Sequence, residues 1–217
     1  MDGEEPEVVA GWVDAEVRAE FPELRILSVE LAALPGPSPP ELQQRLRDMS
    51  DRFRGPQAVM LRQQPIPAAY RIFFRHIGLD PDVDRIPVEE LAVERLKAGG
   101  FESRNRLDDA LTVAVMETGL PVWALDAERV DGPLGIRQAR EREPLGRFGG
   151  APAVPGGRLV VADASGPLAV LFGDRAPGHG VTAETTRMLL FSVLVAGVPS
   201  IHAEEAFWVC EEILLDG

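Results

Sequence analysis

Apolar residues recur first at helical spacing and later at the shorter spacing of strands. Val8 to Val13 is a short apolar run, after which Asp14 is placed to cap a helix that Phe21-Pro22 stops. Leu24 to Leu34 alternates loosely and predicts a strand. The Pro35–Pro40 loop leads into a helix carrying Leu42, Leu46 and Met49 at helical spacing. Ile66 to Ile77 predicts a helix with Tyr70, Phe73, Phe74 and Ile77 on its buried face and Gly78 as its stop. Pro87 begins another, with Glu89 and Glu90 in the first turn, where the helix dipole favours anions, and Gly99-Gly100 closing it.

Past Leu107 to Thr118, an apolar helix opened by Asp108 and Asp109, the pattern changes. Pro121 to Leu125, Arg129 to Arg137, Arg158 to Asp163 and Pro167 to Phe172 are short, rich in Val and Leu, and punctuated by Gly and Pro, as strands are. Pro144 to Gly157 reads as a loop. Thr182 is a good N-cap, so a helix through Met188, Leu189, Phe191 and Leu194 is expected, followed by a last one over Ala203 to Leu215. The expectation is an α+β fold, helices around a sheet drawn mostly from the second half, in one domain over residues 1–217.

Composition narrows the function. With 217 residues and 45% of them hydrophobic, the chain can bury a core without metals or disulfides. Cys210 is its only cysteine, which suits a reducing compartment and excludes an intramolecular disulfide. The opening residues, with Asp2, Glu4, Glu5 and Glu7, are unlike a signal peptide, and no apolar run is of membrane-spanning length, so a cytoplasmic protein is expected. The net charge of −13 opposes indiscriminate binding to nucleic acid, and no DNA partner is expected. An RNA ligand would need a local patch; Arg52, Arg54, Arg62, Arg71 and Arg75, in the near-neutral middle of the chain, are the candidates, or simply a solvated helix surface.

A series of segments then occurs in a telling order: Tyr70-Arg71-Ile72-Phe73, Pro87-Val88-Glu89-Glu90-Leu91, Asn105-Arg106-Leu107-Asp108-Asp109, Gly119 to Asp126, Val130-Asp131-Gly132, Arg137-Gln138-Ala139 with Glu143, Val161-Ala162-Asp163, Phe172-Gly173-Asp174 and Val181 to Thr185. The set resembles the B3/B4 domain, the tRNA-binding and editing module of the bacterial phenylalanine–tRNA ligase beta subunit, over about Tyr70 to Gly197. Residues 61–217 form the resembling core and residues 1–60 a weaker portion. The resemblance implies a three-layer α+β fold with a β-sandwich-like mixed sheet flanked by helices. It also implies tRNA or aminoacyl-tRNA as partner and no cofactor.

The family's editing pocket carries a His in a Pro-x-His-Ala-Phe-Asp segment, a Gly in a Phe-Gly-Gly segment and a Glu further on. Here the Gly is matched by Gly173, whereas Trp123 stands at the His position and Phe191 at the Glu position. The resemblance thus places Trp123, Gly173 and Phe191 in a substrate pocket, with Asp174 and Arg137 nearby, and leaves the catalytic residues unknown. Each has a plainer reading: Gly173 as a torsion only glycine tolerates, Arg137 as a fork onto a neighbouring acid, Trp123 and Phe191 as core, and Asp126 and Asp163 as turn caps. His76, His179 and His202 are scattered, so no metal site is expected, and His179 in a Gly-rich loop is expected to be exposed. Two functions remain open. One is an aminoacyl-tRNA deacylase, not a synthetase; the other is a binding module that has lost the editing residues.

Overall fold

A computed structural model of the protein describes residues 6–53, 55–150 and 153–215; Arg54, one of the candidate RNA-binding arginines, lies outside them. Along the chain come β1 (Val9–Ala10), β2 (Trp12–Val13), α1 (Ala15–Glu20), β3 (Arg25–Leu31), α2 (Pro40–Arg52), α3 (Gly55–Leu61), α4 (Pro65–His76), α5 (Pro87–Ala98) and α6 (Arg106–Thr118). There follow β4 (Trp123–Asp126), a 3-10 turn (Ala127–Arg129), β5 (Gly135–Gln138), β6 (Glu143–Pro144), β7 (Ala153–Val154), β8 (Leu159–Ala162), β9 (Pro167–Val170), β10 (Met188–Leu194) and α7 (Ile201–Leu215). The fold is α+β. The chain divides into two compact units, one of residues 1–34 and 123–194, the other of residues 35–122 and 195–217.

The helices of the second unit start and stop on local chemistry. Pro40, Pro65 and Pro87 each sit in a first turn, where a missing N–H costs nothing. Asn105, ahead of the Asp pair, is the true cap of α6: its side chain accepts from the Asp108 amide at 2.9 Å. Tyr70, Phe73 and Phe74 are buried on α4, as their spacing predicts. Arg71, on the same helix, is buried too and grips Glu89 of α5 through both carboxylate oxygens at 2.9 Å. Its place in a solvated arginine patch is therefore corrected. Asp109 is buried and receives the hydroxyls of Ser38 and Ser103 and the amide of Arg104, which ties two loops to α6. Cys210 on α7 is packed against α6, and burial pushes its thiol pKa up to about 12.

The first unit holds two four-stranded sheets. One is antiparallel in the order β1-β3-β10-β4; the other, β2-β5-β8-β9, is mixed because β2 runs parallel to β5. The close approach of β2 and β5 needs Gly135, where a Cβ would fall 2.0 Å from the Trp12 ring. A two-stranded pair, β6 and β7, brackets most of the segment expected to be a loop, β6 starting one residue before it.

The expectation at Thr182 fails. Thr182 does not open a helix: the Thr185 hydroxyl accepts from the Thr182 amide at 3.0 Å and donates to Asp126 at 2.9 Å, so the cap-like bonds close a turn and fasten it to β4. The residues after it form β10, between β3 and β4. Met188, Leu190, Phe191, Val193 and Leu194 are all buried; a strand apolar on both faces loses the alternation that would distinguish it from a helix.

Asp163 ends β8 and gathers the amides of Asp131, Ser165 and Gly166 and the Ser165 hydroxyl, bearing out its reading as a turn cap. Burial, the largest influence, raises its pKa, but the four donors outweigh it and hold the carboxyl below its ordinary range. A depressed folded pKa adds stability that is fully present above the unfolded value near 4 and fades as pH falls through the folded one. Asp163→Asn is therefore expected to lose about 1–3 kcal/mol at neutral pH and to show a shallower decline than the parent as pH falls below about 4, measured by urea unfolding across pH. A variant as stable as the parent at pH 7 would show the cap to be dispensable.

Candidate functional site

Pairing across the first sheet puts Val9, Ser28, Phe191 and Trp123 in one cross-strand row, and Glu30, Leu189 and Leu125 in the next row of the same face. Trp123 stacks on Phe191 at 5.4 Å and 25°, and Phe172 leans on Trp123 at 5.7 Å and 55°. With Val161, Ala169, Val170, Leu171, Gly173, Arg175 and Val193 these three rings wall a cavity of about 20 Å³, room for one water. Trp123, Gly173 and Phe191 thus do share one cavity. It lies between residues of the two sheets rather than beside a helix, because Phe191 is on a strand.

The chemistry of its wall differs from the expectation at Gly173, Arg137 and Asp174. The left-handed torsion sits at Phe172, φ 57°, not at Gly173. Such a conformation costs a non-glycine residue about 1 kcal/mol or more and turns the Phe172 ring toward Trp123. The Gly173 amide is spent on the Val170 carbonyl at 2.9 Å, so it does not point into the cavity as an oxyanion donor. Among the described residues, Arg175 is the only ionisable group on the wall. Arg137 and Asp174 lie outside it. Arg137 forks onto Glu143 at 2.6 and 2.7 Å, raising its own pKa chiefly through that hydrogen bond and holding the Glu143 carboxyl low. Asp174 is exposed, and its carbonyl accepts from the Val170 amide in the turn after β9.

On the same sheet face as the small cavity, an open crevice of about 950 Å³ is bounded by Val9, Ser28, Glu30 and Leu189, by the ion pair of Arg187 with Glu30, and by the chain from Val130 to Leu134. That volume is in the range of small-molecule sites. No motif announces it, since its residues come from four separate segments. His179, expected on the surface, is 1% exposed: its Nδ1 donates to the Arg129 carbonyl at 2.9 Å, its Nε2 is buried without a partner, and burial pushes its pKa down.

Of the arginines expected to bind RNA, Arg52, Arg62, Arg71 and Arg75 belong to the helical unit, not to the unit that carries the cavity. Arg62 contacts Asp82 at 3.3 Å and Glu89 at 3.6 Å, and Arg71 is withdrawn into the same cluster, so Arg52 and Arg75 remain as surface charges.

Fold and site define an α+β protein with an aromatic-walled cavity and a ligand-sized crevice on one sheet face. Its family follows from comparison: a family model for the B3/4 domain matches residues 69–204, and the chain belongs to that family. It is 35% identical over 106 residues to the phenylalanine–tRNA ligase beta subunit of Haemophilus influenzae, which covers 48% of this chain and 13% of that protein. The Pasteurella multocida subunit is 34% identical over the same length and with the same coverage, and that of Aliivibrio fischeri 33% over 100 residues, 45% of this chain and 12% of that one. The chain therefore spans about one-eighth of the length of these relatives. Among the described residues no helix is long and apolar enough to cross a membrane.

Proposed function

We propose that this chain is a cytoplasmic, tRNA-associated protein that binds the aminoacyl end of tRNA in the crevice beside Phe191 and does not hydrolyse it. The relatives' name, phenylalanine–tRNA ligase beta subunit, supports the RNA half of this reading. The second half rests on one observation: at the family's editing position the cavity has an aromatic wall and room for a single water, with no carboxylate or imidazole among the described residues that line it and its glycine amide already bonded, while the Glu30 carboxylate of the crevice is paired with Arg187. Ester hydrolysis needs a group to activate water and preorganised donors for the oxyanion, and each such donor contributes about 3 kcal/mol where it exists. Neither is supplied by that wall. A deacylase is the second reading, favoured by the water-sized space itself.

The test is a panel of aminoacyl-tRNAs carrying labelled amino acids. The expected result is retention on a filter with micromolar or tighter affinity and no faster release of label than in buffer. Enzyme-dependent release would sink the binding-module reading. A change in Trp123 fluorescence on titration, with Trp12 and Trp208 replaced by Phe, is expected to accompany binding; an unchanged signal would place the ligand elsewhere.

A further inference from the structure

Phe148 is 53% exposed, in the turn between β6 and β7, yet its ring is held from several sides. The His179 ring packs at 4.9 Å and 49°. The guanidinium carbons of Arg129 and Arg147 lie 5.4 and 5.5 Å from its centroid. Gly178, at φ 76°, comes so near that a Cβ there would sit 2.9 Å from the ring. The two arginines are themselves anchored. Arg129 donates to the Gly178 carbonyl at 2.6 Å, and Arg147 donates to the Arg129 carbonyl at 2.8 Å, the same oxygen that His179 reaches. Arg129 also turns its Nε toward Asp126 at 3.4 Å, so two of its nitrogens are engaged against one of Arg147, and the remaining N–H donors of both are unspent.

A large apolar ring kept in water costs free energy, and here it is left half exposed while braced by a buried histidine and two cations. Cation–π contact at an exposed ring contributes too little, about 0.5–1 kcal/mol, to account for such an arrangement by itself. What the arrangement offers is a half-exposed aromatic ring with two guanidinium groups over it, a surface of π and guanidinium planes in a chain whose net charge is −13. Nucleic-acid bases stack on aromatic rings and guanidinium planes, and phosphates accept from arginine forks. An acidic peptide would satisfy the arginines but leave the ring wet.

We propose that Phe148, Arg129 and Arg147 form a stacking platform for an unpaired nucleotide of an RNA strand. The base lies on the Phe148 ring and its neighbouring phosphates accept from the two arginines. The platform rests on the tRNA reading above and adds to it a contact surface lying in the same unit as the crevice, with Arg129 on the 3-10 turn from which Ala127 lines that crevice.

The experiment measures binding of a labelled single-stranded RNA of about twelve nucleotides, and of an abasic strand of equal length, by fluorescence anisotropy at several salt concentrations. Phe148→Leu keeps apolar cover over His179 while removing the π face; it is expected to weaken the base-bearing strand about tenfold or more, and Phe148→Tyr to hold it within about twofold. Arg147→Gln is expected to lower the slope of log affinity against log salt by about one. The abasic strand is expected to bind the parent as weakly as the base-bearing strand binds Phe148→Leu. If Phe148→Leu binds RNA like the parent, or the abasic strand binds the parent as well as the intact one, the platform is overturned and the tRNA reading stands. Failure of the parent to bind any RNA at low salt overturns both. Equal displacement of RNA from parent and Phe148→Leu by polyglutamate would assign the arginines to an acidic protein partner and overturn the nucleotide.

Discussion

Glu89→Ala is expected to destabilise the protein by about 3–5 kcal/mol, as removal of one partner of a buried ion pair does. Arg71 and Glu89 are 8% and 4% exposed, and the Arg71 guanidinium also donates to the Pro81 carbonyl at 3.1 Å and to Asp82 at 2.6 Å. Deleting the carboxylate leaves that guanidinium buried beside α5 with its charge only half answered. The loss then exceeds what the pair itself contributes, because the desolvation of Arg71 is no longer offset. Replacing both partners, Arg71→Met with Glu89→Leu, should recover most of the stability. Chemical denaturation of the two variants decides the matter: a Glu89→Ala variant within about 0.5 kcal/mol of the parent would show that water enters and solvates the arginine. The result bears on function as well. RNA affinity lost in an Arg71 variant would report unfolding of α4 and α5, so a test of the helical unit as an RNA surface must use Arg52 and Arg75.

Such a pair is invisible in the sequence, where Arg71 occupies one position of an amphipathic helix and nothing marks Glu89 as its partner. What the sequence states well is local: Asp14 as a cap, Pro87 at a helix start, Gly78 and Gly99 as left-handed stops each act through neighbours a few residues away. Contacts of long range are stated poorly. β10 reads as a helix because β3 and β4 cover its sides and its residues are buried on both faces, and neither strand is near it in the chain. His179 follows Pro177-Gly178, a composition that signals surface, and it is buried only because the Phe148 turn and Arg129 fold over it. For the site, the positions of Trp123, Gly173 and Phe191 were legible through family resemblance, and their meeting in one cavity bears on that resemblance directly. The crevice was not legible, because Ser28, Glu30, Arg187 and the Val130–Leu134 stretch converge only through strand register.

Trp123 governs the size of the small cavity, and its removal is expected to produce the largest change at the site. In Trp123→Ala the indole that stacks between Phe172 and Phe191 is gone, and a half-buried tryptophan lost in this way costs about 2–4 kcal/mol, part of it transfer and part the void left behind. Phe191 sits in the middle of its sheet and cannot follow the missing ring, so the space persists rather than collapsing. An apolar void of that kind takes up a matching apolar molecule, and indole should raise the variant's melting temperature in proportion to the logarithm of its concentration while leaving the parent unmoved. The functional arm follows from the same geometry. If the aminoacyl group lies on this face of the sheet, enlarging the cavity lets bulky side chains reach past the Trp123 position, and the variant's affinity for tRNA charged with aromatic amino acids should rise at least tenfold relative to tRNA charged with alanine. Indole rescue without any change in that ratio would keep the cavity and remove it from aminoacyl recognition.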